Sequence, residues 1–136
     1  MSALRILVTG STGFLGGHAA AAVRAAGHVL LTTARSGGDA AVDLTAPGIA
    51  AALAQALRPD VVLHLAALAR LDDCERDDAR ARAVNAAAVG ALAERFGARL
   101  LAVSTDLVFD GGRAPDAAVR HRLEVAGVVA GGLAVA

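Results

Sequence analysis

The chain has 136 residues, enough for one domain with a real core but short for a nucleotide-binding enzyme that carries its own substrate lobe. Its 13 basic and 13 acidic side chains cancel, every basic one is arginine, and lysine, tyrosine and tryptophan are absent, so no net field favours nucleic acid or an anionic membrane. The lone Cys74 excludes an internal disulfide, no apolar run reaches the roughly 20 residues of a membrane helix, and nothing at the N-terminus reads as a cleaved signal; a cytoplasmic protein is expected.

The first element is the most informative. Ile6, Leu7 and Val8 form an unbroken apolar run that suits a central parallel strand covered on both faces. Glycines follow at once, Gly10, Gly13 and Gly16, in the spacing Gly-x-x-Gly-x-x-Gly. Gly10 permits a tight turn, Gly13 lets a pyrophosphate approach the backbone, and Gly16 lets the next helix lie against the strand. That helix spans Phe14 to Ala26, alanine-rich and without proline, and Gly27 ends it. Free amides and the positive helix end then face an anion.

His28 to Thr33 is a β-prone second strand, completing a strand-helix-strand unit. At its end such folds choose their cofactor, an acid for a ribose 2′-hydroxyl or an arginine for a 2′-phosphate. Arg35 stands there, which favours NADP, with NAD as the alternative cofactor and a solvated loop arginine as the alternative role. A loop over Ser36 to Ala40, a short strand from Ala41 to Leu44, and a helix from Pro47 to Leu57 opened by Thr45 come next. Val61 to Leu65 is the fourth strand, ending in His64-Leu65-Ala66-Ala67, where small residues leave room for a cofactor and His64 belongs to the core. Leu68 to Asp78, with alternating charges, is expected to be a solvated connection or a first helical turn. Ala79 to Phe96 is a helix containing Asn85, read as a kinking or backbone-bonding residue, and Leu100 to Ser104 is the fifth strand. This alternation predicts an α/β fold, a Rossmann-like doubly wound parallel sheet with its ligand edge at the carboxyl ends of the strands.

With the glycine turn, Asp43-Leu44, His64-Leu65-Ala66-Ala67, Val84-Asn85 and Ser104-Thr105-Asp106-Leu107-Val108-Phe109-Asp110-Gly111 together, residues 4 to about 115 resemble the extended short-chain dehydrogenase/reductases. Within them the chain looks most like the dTDP-4-dehydrorhamnose reductase group of sugar-nucleotide reductases. The resemblance implies a pyrophosphate site at Gly10, Gly13 and Gly16 with amides from Thr12, Phe14 and Leu15, adenine flanked by Asp43 and Leu44, and a nicotinamide ribose over Ala66 and Ala67. It also implies a catalytic Thr105 that hydrogen-bonds the carbonyl of a sugar-nucleotide substrate. Asp43 as a helix cap and Thr105 as a turn residue are the plainer alternatives.

The family's Tyr-x-x-x-Lys pair has no counterpart, because neither residue type occurs. Asp116, His121 and Glu124 are the downstream titratable groups, none at the family's spacing, and His121 reads as a surface residue. The expected organisation is a nucleotide-binding domain over 1–115, ending after the fifth strand, and an atypical segment over 116–136, truncated or frame-altered. Such a chain is expected to turn over poorly and to self-associate through a bare sheet face. The alternative functions are a non-catalytic nucleotide-binding regulatory module and a non-functional remnant.

Overall fold

In a computed structural model, which describes residues 2–105, β1 (Arg5–Thr9) is the middle strand of a five-stranded parallel sheet. The order is β3-β2-β1-β4-β5, with β2 at Val29–Ala34, β3 at Ala40–Ala41, β4 at Val61–His64 and β5 at Leu100–Ala102. The chain winds outward in one direction from β1 to β3, then crosses back to β4 and continues the other way, so the switch point lies between β1 and β4. The apolar run explains the central place of β1: Leu7 and Val8 are both fully buried.

Strand alternation separates the two faces. Leu7 points to the side of α2 (Ile49–Leu57) and α5 (Ala88–Phe96), where it clusters with Ala50, Leu53, Val62, Leu92 and Phe96. Each large side chain removed from water there contributes about 1.5–3 kcal/mol. On the other side α1 (Phe14–Ala25) packs on β1 and β2 through buried Gly16, Ala20 and Val23. Leu101 and Val103 are about half exposed.

The N-terminal edge of the sheet is tied by Arg5. Its guanidinium donates to the carbonyls of Leu57 (2.8 Å) and Arg58 (3.2 Å), the orphan acceptors at the end of α2, while its amide donates to Asp60 (2.7 Å).

Three expectations require correction. The polar stretch after β4 is not only a solvated connection: it holds α3 (Leu71–Arg76), in which Asp73 pairs with Arg70 and Arg76. The helix expected from Ala79 to Phe96 is continuous but not regular, running from α4 (Asp78–Arg82) through a π-turn (Ala83–Ala87) into α5. The short third strand stops at Ala41, because Asp43 folds the chain into a turn by accepting from the Thr45 amide (2.9 Å) and hydroxyl (2.7 Å). That bond also takes Thr45 away from helix capping, so α2 starts later, at Ile49 after Gly48. The boundary at residue 115, the segment 116–136, the motif residues Asp106 to Gly111, and Asp116, His121 and Glu124 lie outside the described residues.

Candidate functional site: a cleft at the switch point

A cleft of about 260 Å³ opens at the carboxyl ends of β1, β2 and β4. Gly10, Thr12 and Gly13 line it from the glycine turn, Thr33, Ala34 and Arg35 from the end of β2, and Leu65 to Leu68 from the end of β4. The turn between β3 and α2 adds Val42, Asp43, Leu44 and Thr45, and the helical return adds Arg80 and Val84.

The glycine turn is built so that its backbone alone occupies the floor. Gly10 has φ +68°, and a Cβ there would come within 2.7 Å of the Ala66 backbone, so the turn and the end of β4 touch main chain to main chain. At Gly16 a Cβ would collide with the Gly10 carbonyl oxygen and lie 2.7 Å from Ser11 Cα. The helix start is thus pressed onto its own loop, where the spacing alone suggested contact with the strand. Gly13 is open by comparison, with only the Gly10 oxygen 3.3 Å from a would-be Cβ. No side chain caps α1, and its first amide with a backbone acceptor is Gly17, which donates to Gly13 (3.0 Å). The amides of Phe14, Leu15 and Gly16 therefore have no protein acceptor among the described residues, the arrangement that suits an anion.

Phe14 and Leu15 are not part of the cleft lining. Their side chains are 82% and 53% exposed, and the Phe14 ring meets His18 edge-on at 4.9 Å. Thr105 stands exposed beyond the end of β5 and does not line the cleft. Gly16 does not line it either, whereas Gly10, Thr12, Gly13, Arg35, Asp43, Leu44, Ala66 and Ala67 converge on it.

Among the described residues, the charges lining the cleft are two arginines and one carboxylate. Hydrogen bonds from the Thr45 hydroxyl and amide hold the Asp43 carboxyl below the usual range, with smaller help from Arg35 and Arg80. The earlier acid after the glycine turn, Asp39, is engaged elsewhere: its Oδ2 accepts from the Thr32 hydroxyl (2.7 Å) and amide (2.9 Å), which lowers its pKa. Asp39 is not part of the cleft lining.

Beneath the cleft, Thr33, Thr9 and His64 stand in register across β2, β1 and β4. His64 is 2% exposed, its Nδ1 lies 2.7 Å from Thr9 Oγ1, and burial pushes its pKa from 6.5 to about 4. Asn85 sits in the π-turn and grips the Leu68 peptide at both ends, its Oδ1 accepting from Leu68 N (2.8 Å) and its Nδ2 donating to Leu68 O (3.0 Å). The Cys74 thiol donates to the same carbonyl (3.1 Å). Asn85→Ala is expected to lower stability by about 1 kcal/mol, since both bonds are exposed to competing water. Urea unfolding measures it, and an unchanged midpoint would show that Leu68 is held without Asn85.

Sequence reasoning passed over Arg80 and quoted Val84 only within a family motif. Their i, i+4 spacing is the signal that marks one helix face, but which way that face points depends on the crossover.

The sequence matches the family described as RmlD substrate binding domain over residues 4–121. It is 39% identical over 111 residues to a dTDP-4-dehydrorhamnose reductase of Burkholderia thailandensis, covering 79% of this chain and 36% of that protein. It is also 39% identical over 110 residues to the enzyme of that name from Mycobacterium tuberculosis, covering 79% and 34%. Among solved structures, the fold superposes on the dTDP-4-dehydrorhamnose reductase of Bacillus anthracis in complex with NADP with a TM-score of 0.72, 26% identity, and coverage of 83% of this chain and 40% of that one. The chain thus spans little more than a third of the curated relatives' length. With the family model matching residues 4–121, most of its length, the chain belongs to the RmlD substrate binding domain family.

Proposed function

We propose that these residues form the dinucleotide-binding part of a sugar-nucleotide reductase of the dTDP-4-dehydrorhamnose reductase kind, with NADP as its cofactor. The observation that carries the reading is the glycine turn, which lines a cleft that also holds Arg35 and leads into a helix start with no side-chain cap. The 26% identity to a reductase in complex with NADP supports the choice of cofactor. So does the placement of the acids: Asp39, the first carboxylate after β2, is tied to Thr32 and lies outside the cleft lining.

NADPH would supply the hydride for the C4 carbonyl of a 4-keto deoxysugar nucleotide. The residues present fit it. The amides at Thr12, Phe14 and Leu15 hold the pyrophosphate, Arg35 neutralises the 2′-phosphate, and Asp43 and Leu44 flank the adenine. Ala66 and Ala67 are small enough for the nicotinamide ribose to lie over the end of β4. Thr105 donates a hydrogen bond to the substrate carbonyl oxygen, where negative charge develops. Exposed Leu101 and Val103 support self-association through β5.

Calorimetric titration tests the cofactor assignment. NADPH is expected to bind saturably and more tightly than NADH, and Gly13→Val, which fills the cleft while straining little else, to weaken both by about 100-fold or more with the circular dichroism unchanged. No saturable heat with either dinucleotide would overturn the proposal.

A second reading follows from the absence of tyrosine and lysine: binding without turnover. General acid work at the alkoxide needs a titratable group within hydrogen-bond reach. NADPH oxidation with a 4-keto deoxysugar nucleotide at about 1 s⁻¹ or faster, followed by absorbance on these 136 residues, would rule this second reading out.

A further inference from the structure

We propose that Arg80 of α4 is a second cation of the cofactor's 2′-phosphate site, closing from the β4 side of the cleft on the same phosphomonoester that Arg35 meets from the end of β2, and so sets the preference for NADPH over NADH. The inference rests on the dinucleotide reading above and deepens it.

The neighbours of Arg80 show why it faces a ligand. The arginines around it on α3 and α4 are paired locally: Arg76 with Asp73 at 3.1 Å, Arg70 with the same carboxylate at 3.7 Å, and Arg82 with Asp78 at 2.8 Å. Both acids next to Arg80 are therefore engaged, since Asp78 holds Arg82 and Asp77 accepts from the backbone amide of Arg80 itself (2.9 Å). The Arg80 guanidinium makes no ion pair or hydrogen bond among the described residues, and it lines the cleft. Asp43 is the one carboxylate of that lining, and its Oδ1 is already shared with Thr45.

The charge balance points to the ligand. Among the described residues, two guanidinium groups against one carboxylate leave the cleft lining one positive charge in excess, and Arg35 and Arg80 both act electrostatically on Asp43, at the adenine end. A phosphomonoester carries about −1.5 to −2 at neutral pH, more than one arginine balances. Guanidinium forks suit its oxygens, and a ribose hydroxyl offers neither the charge nor the acceptors.

The test is calorimetry at fixed ionic strength on the parent chain, Arg35→Gln, Arg80→Gln and, as a control distant from the cleft, Arg95→Gln. The probes are NADPH, NADH and adenosine 2′,5′-bisphosphate. Arg80→Gln is expected to weaken NADPH and the bisphosphate by about tenfold or more while changing NADH less than about twofold, with Arg80→Lys recovering part of the loss and Arg95→Gln without effect. Equal weakening of NADPH and NADH, or an unchanged NADPH affinity, would overturn the role of Arg80 and leave the dinucleotide reading standing. Failure of both dinucleotides to bind the parent would overturn that reading and this inference with it.

Discussion

Gly16→Ala is expected to destabilise the protein by about 3 kcal/mol and to weaken dinucleotide binding by about 100-fold, although it adds a single methyl group. The Cβ has nowhere to go: it meets the Gly10 carbonyl oxygen, and Ser11 Cα lies 2.7 Å away. Both are main chain, so relief requires the glycine turn to move off the helix, and the turn carries the amides that hold the pyrophosphate. Gly10→Ala meets a similar wall, 2.7 Å from the Ala66 backbone, with the added strain of a left-handed φ of +68°. The adjacent Gly17 provides the contrast. No heavy atom lies within 4 Å of its would-be Cβ, and it occupies the interior of α1, so Gly17→Ala is expected to stabilise by about 0.5–1 kcal/mol. Urea unfolding of the pair decides the matter, and equal midpoints for the Gly16 and Gly17 variants would refute the packing described for the turn.

The second large effect is acid sensitivity centred on His64. The Thr9 hydroxyl, whose oxygen accepts from the Leu65 amide (3.3 Å), lies 2.7 Å from His64 Nδ1, so one ring nitrogen has a partner. Nε2 has no partner among the described residues, and burial holds the pKa at about 4 against 6.5. Because the folded pKa is the lower one, the unfolded chain takes up the proton first as the pH falls. The stabilisation is complete above pH 6.5 and is lost progressively down to about pH 4, by about 3 kcal/mol in all. His64→Gln is expected to flatten the profile in that window. Asp39 and Asp43 act in the same direction but below the usual carboxylate range, so their contribution does not overlap the upper part of the window. Urea midpoints between pH 7.5 and 4.5 check the sign, and parallel profiles for parent and variant would exclude His64 as the cause.

The parts of the fold that depend on local chemistry could be read from the chain. Ile6 to Val8 followed by three spaced glycines specifies a buried strand, a tight turn and a helix through sterics alone, and β1 and α1 lie there. Gly27, with φ +75°, ends α1 where the sequence places the stop. The parts that depend on long-range placement could not. α3 is six residues long, too short to persist without its surroundings, and its charges looked like those of a solvated loop. The turn at Asp43 consumed the hydroxyl of Thr45, which pattern rules assign to a helix cap. Arg80 resembles any surface arginine until the crossover from β4 to β5 carries it over the cleft.

The π-turn has a consequence for how this helical return can vary. Arg80 and Val84 look into the cleft, while Ala88, Leu92 and Phe96 are buried in the core, and a regular α-helix would let so long a row of every-fourth residues drift around the cylinder by about 40° at each step. The wider turn at Ala83–Ala87 resets the phase, so one continuous rod serves two differently aimed surfaces. Removing one residue there would let four α-helical residues cover the rotation that five π residues cover now, and would leave α4 and α5 facing nearly as they do. A one-residue change in length is therefore absorbed at these five positions with little rotation of either flanking helix, whereas the identity of Asn85 is held by its bonds to Leu68.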